Sequence, residues 1–240
     1  MGHSRKTEAF TRLELVVVIL VFALLVIFVA PVFRPAKQRS RMSCVNNLKQ
    51  LGLAYRIWSN DNGDRFPAKS PVTNGGWREL LNGANTGIYC WTNYVIMANE
   101  MGQSPRILIC PEDERKAALS ISNLANTNIS YFVGVNASDT YPQAILGGDR
   151  NLGPGTTPDP EYGFSPADSR GNDVVINGPV CWSLKMHSRG NPAGAGNILL
   201  GDGSAQQVSS KNLNQYWLTN SLNAAHNKAP NSGGMRLIFP

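Results

Sequence analysis

One carboxylate lies at the edge of a long apolar stretch of this chain. Glu14 directly precedes residues 15–33, nineteen residues without a charged side chain. At about 1.5 Å of rise per residue, a helix of that length crosses a hydrocarbon core of roughly 30 Å. An ionisable group at this depth is destabilising unless it finds a partner. Glu14 is therefore either a helix cap at the water interface or one half of an ion pair.

The partner of Glu14 in such a pair is expected to come from another chain. Arg12 and Glu14 are two residues apart, and side chains at that spacing do not face each other on a helix. An unpaired amine and an unpaired carboxylate are both destabilising in lipid, so bringing them together removes both penalties. The spacing favours a contact between the helices of two subunits.

Three residue types of a nucleophilic triad occur late in the chain, at His187, Asp202 and Ser204. Such a triad needs a base within reach of the hydroxyl and an oxyanion hole. The sequence has no Gly-x-Ser-x-Gly motif, and Asp202-Gly203 is typical of a tight turn. The glycine-rich stretches 147–148 and 153–155 lack the Lys-Ser/Thr of a phosphate loop. These patterns do not favour an enzyme.

The chain contains four cysteines, all outside the apolar run: Cys44, Cys90, Cys110 and Cys181. No Cys-x-x-Cys pair occurs, and His187 has no second ligand at a usual spacing, so the sequence does not favour a zinc site. In an oxidising compartment, four cysteines allow three disulfide pairings. Buried free thiols are the alternative.

The positive charge of the chain is confined to its N-terminal part. Residues 1–65 contain ten Lys/Arg and four Asp/Glu, a balance of +6, whereas residues 66–240 contain twelve of each. Basic residues that flank a membrane helix are attracted to anionic lipid head groups. A neutral head gives no electrostatic basis for binding nucleic acid.

Helical periodicity resumes beyond Pro35. Apolar residues recur three or four positions apart, which predicts an amphipathic helix with one face against a core, formed by Met42, Val45, Leu48, Leu51, Tyr55 and Trp58. The polar residues 60–64 should end this helix, with Gly63 as a left-handed cap.

The rest of the chain predicts short strands between turns. Apolar runs indicate strands at 107–109, 130–133, 173–176 and 197–200, a hairpin around Asp202-Gly203, and short helices at 77–81 and 91–97. Residues 147–173 are predicted to be irregular.

Residues 10–15 and the apolar run behind them resemble the class III signal of type IV pilins and type II secretion pseudopilins. The resemblance implies a leader of residues 1–9, cleavage by a prepilin peptidase between Ala9 and Phe10, and methylation of the new N-terminus. It also implies that Glu14 pairs with the terminal amine of a neighbouring subunit during assembly. Pro31 lies where many members of the family kink the helix.

Residues 45–55 and 61–67, together with Cys110-Pro111, resemble pilin-like proteins of the H-X9-DG type. Fourteen residues separate His187 from Asp202-Gly203 in this chain, where the family pattern has nine. The resemblance implies a disulfide between Cys44 and Cys110, and Cys90 with Cys181 then follows by exclusion.

A pilin-like fold follows from these resemblances as an expectation. It is an α+β fold with a long N-terminal helix, half spanning the membrane and half amphipathic, packed on a head with an antiparallel β-sheet and long loops. The expected divisions are a leader at 1–9, the helix at 10–62 with its transmembrane part at about 13–33, and the head at 63–240.

The function that the resemblance implies is that of a structural filament subunit, in a type IV pilus or a type II secretion pseudopilus. Its partners would be other pilin-like subunits, the prepilin peptidase and an inner-membrane assembly platform, with no nucleic acid. Before assembly the chain would cross the inner membrane once, with its head outside the cytoplasm.

No cofactor is expected, although major pseudopilins bind calcium in the head. Oxygen-rich turns that suit calcium lie at 61–64 and around Asp168, Asp173 and Asp202. Their spacing matches no defined calcium loop, so the sequence assigns no ligand.

Three other readings of the chain remain open at this point. An ordinary signal peptide would be cut after Ala30, which puts Pro31 at the first mature position, a poor fit to the protease. A permanent single-span anchor is the second reading. The third is a membrane-tethered or minor-pilin head that recognises a surface, a polysaccharide or an exported protein through exposed tryptophans, with Trp77, Trp91, Trp182 and Trp217 as candidates.

Overall fold

The structure, a computed structural model, describes residues 11–29, 36–81, 90–165, 167–168, 170–188, 192–218 and 234–240. The chain divides into two units, residues 1–39 and 40–240. The leader, Ala9, Phe10 and Pro31 lie outside the described residues, so the predicted cleavage site and kink stay predictions.

The first helix, α1, is Arg12–Val29 and contains no buried residue. Apart from Arg12 and Glu14 its side chains are uncharged, and its apolar side chains cover every face. A helix that is apolar all round must be buried by something other than water. Within the described part of the chain, α1 is the helix whose length and hydropathy suit a membrane span.

The second helix, α2, is Ala36–Asp61. Its buried face is formed by Cys44, Leu48, Leu51, Tyr55 and Trp58. This confirms most of the predicted face, but Met42 is exposed and Val45 is only half-buried. The helix ends where predicted, because Gly63 adopts a positive φ of 68°.

The head contains one antiparallel sheet of six strands in the order β4-β8-β1-β2-β6-β7. The strands are β1 Tyr131–Gly134, β2 Ile145–Asp149, β4 Asn172–Ile176, β6 Ala195–Leu200, β7 Ala205–Ser209 and β8 Met235–Phe239. A second sheet pairs β3, Leu152–Pro154, with β5, Val180–Trp182, also antiparallel. The chain is therefore α+β, with an N-terminal apolar helix and a C-terminal antiparallel sheet.

Both faces of the six-stranded sheet are covered by packed side chains. Side chains alternate between the two faces of a strand, so in β1 Tyr131 and Val133 pack with the α2 residues, whereas Phe132 joins the opposite core. The second core contains Trp182, Leu237 and Phe239. The sheet thus separates two hydrophobic cores, and α2 covers one of them.

Several predicted elements are confirmed. Strands are present at β1, β4 and β6, the β6–β7 hairpin turns at Asp202-Gly203, and residues Cys90–Ile96 form helix α3. The predicted strand at 107–109 is wrong, because Pro105–Leu108 is a 3₁₀ helix that begins with proline. Residues 147–173 contain the end of β2 and all of β3, so they are less irregular than predicted.

Candidate functional site

The first candidate site is the start of α1, where Thr11 and Glu14 form a capping box. The backbone N–H of Thr11 donates to Glu14 Oε2 at 2.9 Å, and the Glu14 N–H donates to Thr11 Oγ1 at 3.3 Å. The Thr11 hydroxyl also donates to Oε2, at 3.0 Å. This reciprocal pattern pairs two N–H groups that a helix start otherwise leaves open. In the single chain, Glu14 therefore caps its helix, and no salt bridge joins it to Arg12.

The cap uses only one oxygen of the Glu14 carboxylate. All its hydrogen bonds within the described residues go to Oε2, and both residues are exposed. A carboxylate offers about four acceptor positions on its two oxygens. Oε1 thus stays available for a cation while the cap is intact.

The second candidate site is a buried cluster around the disulfide that joins Cys44 of α2 to Cys110. This is the pairing that the family resemblance implied. The ring of His187 lies against it, with Nε2 3.3 Å from Cys110 Sγ. The same nitrogen lies 3.5 Å from Asp149 Oδ2. All four side chains are completely buried.

Neighbouring groups hold this cluster in place. Asn197 of β6 donates to Asp149 Oδ2 through its backbone N–H at 2.7 Å and its side-chain amide at 2.9 Å. The Arg41 guanidinium of α2 donates to the carbonyl of His187 at 2.8 Å. Helix α2, strand β2 and strand β6 therefore all contribute to one site.

The electrostatics of the cluster are dominated by burial. Removal from water raises the pKa of Asp149 to about 8, against the opposing effect of the Asn197 hydrogen bonds. The nearby charge of Asp113 acts in the same direction as burial. Asp149 Oδ1 has no hydrogen-bond partner among the residues that the structure describes. A buried carboxylate oxygen left in this way is unfavourable and points to a missing partner.

The second expected disulfide, Cys90 with Cys181, is absent. Both are buried free thiols. Cys90 lies against the carbonyls of Tyr131 and Ile238 in the core that α2 covers, while Cys181 donates to Ser210 Oγ beside the two-stranded sheet. The two side chains belong to different parts of the head, so pairing by exclusion was wrong.

The residues of the conceivable nucleophilic triad have separate roles. His187 is fully buried, whereas Asp202 is exposed at the hairpin turn, where its Oδ1 accepts from the Ser204 N–H at 2.8 Å. Gly203 takes φ 82° at this turn. A side chain at Gly52 of α2 would meet the Gly203 carbonyl at 2.5 Å. The Asp202-Gly203 turn therefore serves as a packing contact with α2.

Two of the four candidate calcium turns are engaged by arginine. Asp173 forms a salt bridge with Arg236, and Asp168 forms one with Arg170. Residues 61–64 form the helix stop, beside an open polar cavity of about 480 Å³ that Ser70 and Asn74 also line. In the described residues, the group with metal-ligand spacing is a different one: Cys44, Cys110 and His187.

Two of the four tryptophans that could have formed a binding surface lie inside the head. Trp77 and Trp182 are buried, and Trp91 and Trp217 are half-buried. Trp77 Nε1 donates to Asn93 Oδ1 at 3.3 Å within the core. Packing against the sheet accounts for Trp77 and Trp182.

Sequence reasoning missed Asp149, which lies beside His187, and Asn197, which donates to Asp149. The signal was weak, because Asp149 follows Gly147-Gly148, and a glycine pair is typical of a loop. Asn197 opens an apolar run and resembles a strand-edge residue. Strand pairing brings the two together. Gly148 of β2 lies opposite Ile198 of β6, so the neighbouring residues Asp149 and Asn197 also lie close to each other.

Comparisons of the chain with protein-family models, with curated proteins and with solved structures found no match. The likeness to pilin-like proteins accordingly stays a prediction from motifs.

Proposed function

We propose that this chain is a structural subunit of a type IV pilus-like or type II secretion pseudopilus-like filament. In this proposal a prepilin peptidase removes residues 1–9, and the chain waits in the inner membrane with its head outside the cytoplasm. An assembly platform then transfers α1 into the filament core, where helices of neighbouring subunits pack. The partners are thus other pilin-like subunits.

The observation that carries the proposal is the exposure of α1. Its large apolar side chains are about half exposed or more, for example Phe22 at 68% and Phe28 at 76%. Lipid and the matching helices of other subunits are the two surroundings that remove such a surface from water. The helix of a filament subunit lies in lipid before assembly and against the helices of other subunits afterwards.

The state of Glu14 agrees with this role. A carboxylate that caps its own helix through Oε2 is held at the start of α1, with Oε1 open to a cation. Cleavage after Ala9 would create an α-amine on Phe10, four residues before Glu14. An amine of a neighbouring subunit would neutralise the carboxylate without loss of the cap.

The decisive experiment is to determine the mature N-terminus by mass spectrometry of the chain from membrane fractions. A chain that begins at methylated Phe10 is the expected result. One that begins at Pro31 would identify an ordinary secretory signal, and an intact Met1 would identify a permanent anchor. Either of these would overturn the proposal.

Two variants make this experiment sharper. Ala9→Leu places a bulky side chain at the predicted prepilin cut and should leave residues 1–9 attached. Ala30→Leu does the same at the competing signal-peptide cut and should leave the Phe10 terminus unchanged. The reverse pattern would contradict prepilin processing.

A membrane-tethered binding head is the alternative function. Exposed tryptophans would have favoured it, but Trp77 and Trp182 lie in the core. No arrangement of the described residues gives it particular support, so the filament role is preferred.

A further inference from the structure

The cluster around the disulfide brings together side-chain types that bind transition metals. One ligand atom from each of Cys44, Cys110 and His187 lies within 4.8 Å of the others, and all are buried. Asp149 adds a carboxylate oxygen 3.5 Å from His187 Nε2. Two sulfurs, one imidazole nitrogen and one carboxylate oxygen make a complete set of zinc ligands.

Two of the observed distances match edges of a zinc tetrahedron. With Zn–N and Zn–O bonds of about 2.1 Å, a nitrogen and an oxygen ligand lie about 3.4 Å apart, and a sulfur and a nitrogen lie about 3.6 Å apart. The corresponding distances are 3.5 Å from His187 Nε2 to Asp149 Oδ2 and 3.3 Å from Nε2 to Cys110 Sγ. The two edges that meet at His187 Nε2 are thus already close to their tetrahedral lengths.

The fourth ligand requires a local movement. Two thiolates on one tetrahedral zinc lie about 3.8 Å apart, so the sulfurs of Cys44 and Cys110 must separate when no bond joins them. Rotation about one Cα–Cβ bond moves a sulfur far enough, and Cys44 lies on a helix whose backbone need not shift.

Two further features of the cluster are typical of metal sites. Asn197 orients Asp149 with hydrogen bonds of 2.7 and 2.9 Å, as outer-shell groups do for ligating carboxylates. Asp149 Oδ1 is fully buried and has no hydrogen-bond partner within the described part of the chain. A cation bound by this carboxylate would compensate its buried charge.

We propose that the dithiol form of this chain binds one Zn²⁺ through Cys44, Cys110, His187 and Asp149, so that zinc and the disulfide are mutually exclusive. Zinc binding releases the two thiol protons, and also the Asp149 proton where that carboxyl is protonated, and changes no oxidation state. Disulfide formation instead transfers two electrons and the two protons to a disulfide oxidant by thiol exchange. Because both sulfurs are buried in the folded head, the choice is made while the chain folds.

The test starts from the full chain in which the other cysteines are removed, Cys90→Ser with Cys181→Ser. The chain is unfolded in denaturant with a phosphine reductant, then refolded in detergent with Zn²⁺ or with Co²⁺ as a spectroscopic probe. We expect about one Zn²⁺ per chain, and for Co²⁺ the intense visible bands of a tetrahedral ion with sulfur-to-cobalt charge transfer. The same chain refolded under oxidising conditions should bind neither ion.

Substitutions at the ligands provide the matched comparison. We expect His187→Gln to abolish tight binding and Asp149→Asn to weaken zinc binding about 10-fold to 100-fold. Asp202→Asn, at the exposed turn, should leave affinity unchanged. If His187→Gln does not fold, the cobalt spectrum of the parent chain still counts its thiolate ligands.

The outcomes separate cleanly. The site would be overturned if the parent chain bound zinc no better than a Cys44→Ser, Cys110→Ser chain. An octahedral cobalt spectrum would also overturn it, and so would unchanged zinc affinity in a folded His187→Gln chain. These results do not depend on filament assembly, so the zinc site and the proposed function can fail separately.

Discussion

A single substitution can separate the helix cap at Glu14 from the contact between chains that we propose for the same residue. Glutamate and glutamine both complete a capping box with a threonine N-cap, but only glutamate carries a charge. The structure shows the cap within one chain, while the proposed contact between chains requires the charge. Glutamine at this position therefore keeps the first role and removes the second.

We expect Glu14→Gln to leave α1 helical and inserted but to prevent filament assembly. The physical reason is that the neutral amide cannot compensate a neighbour's ammonium group in an apolar environment. Sheared surface fractions examined by electron microscopy and immunoblotting would measure assembly. Thr11→Ala is the matched control, because it removes the hydroxyl of the cap but keeps the charge, and it should still assemble. Normal filaments from Glu14→Gln would show that Glu14 is only a cap.

A second prediction at this scale concerns the contact between α2 and the hairpin turn. A Cβ at Gly52 would lie 2.5 Å from the Gly203 carbonyl oxygen and 2.9 Å from Leu199 Cδ1. We expect Gly52→Ala to lower the free energy of unfolding by about 1–3 kcal/mol through overpacking, despite the better helix propensity of alanine. Chemical denaturation would measure the change.

Gly178 provides the control for this substitution. No atom lies within 4 Å of a Cβ built there, and its φ is not positive. Gly178→Ala should change stability by less than about 0.5 kcal/mol. An equal effect of both substitutions would argue against a close approach of α2 to the turn.

At the scale of elements, a buried ion pair joins three loops of the head. Arg150 follows β2 and donates to both oxygens of Asp113, at 2.7 and 2.8 Å. Its guanidinium also lies over the Tyr162 ring, 3.4 Å from the centroid. Both charged side chains are almost completely buried. Loss of one partner would leave the other charge unpaired in the interior.

We expect Asp113→Asn to destabilise the head by about 3–5 kcal/mol, because it leaves the buried Arg150 without its counter-charge. Thermal and urea unfolding would measure the loss. The exposed pair of Arg170 and Asp168 is the control, and Arg170→Gln should change stability by about 1 kcal/mol or less. A small effect of Asp113→Asn would mean that solvent reaches the pair.

The same ion pair predicts an acid limit to stability. Burial alone would raise the pKa of Asp113, but the Arg150 guanidinium outweighs it and holds that pKa below its ordinary value. The stabilisation is therefore present above the unfolded-state pKa of about 4 and is lost as the pH falls through the lower folded value. Unfolding free energies measured at falling pH should show this loss in the parent chain, and it should be absent in Asp113→Asn.

At the scale of the whole molecule, the two units have opposite relations to water. Residues 40–240 contain both hydrophobic cores and the disulfide, whereas α1 buries nothing. Among the α2 side chains that the structure describes, the fully buried ones begin at Cys44. The unit of residues 40–240 should therefore be stable without α1.

We expect residues 40–240, expressed alone in an oxidising compartment, to be soluble and to unfold cooperatively. The reason is that the cut removes the exposed apolar helix and leaves in place all the α2 residues that the structure shows as buried. Circular dichroism and membrane fractionation would test this. A chain that begins at residue 52 lacks Cys44, Leu48 and Leu51 and should not fold. Retention of the 40–240 chain in membranes would show a second membrane contact.

The sequence alone was sufficient to predict an element where one physical effect dominates its local pattern. The apolar run predicted α1, helical periodicity predicted the buried face of α2, and Asp202-Gly203 predicted the hairpin, because hydrophobic burial and positive φ act over a few residues. Family resemblance supplied the Cys44–Cys110 pairing, which spacing did not determine. The same local reasoning failed at 107–109, where Pro105 begins a 3₁₀ helix in an apolar segment.

Only the tertiary structure decided which distant residues meet. The sequence contained His187 but did not show which residues lie beside it. Asp149, Cys110 and His187 are brought together by strand pairing and by the packing of α2, contacts between residues as far as 146 positions apart. Such contacts depend on the sum of burial over the whole head, so no short motif encodes them. The free Cys90 and Cys181 have the same cause, because Cys90 lies in the core that α2 covers and Cys181 lies on β5 of the two-stranded sheet.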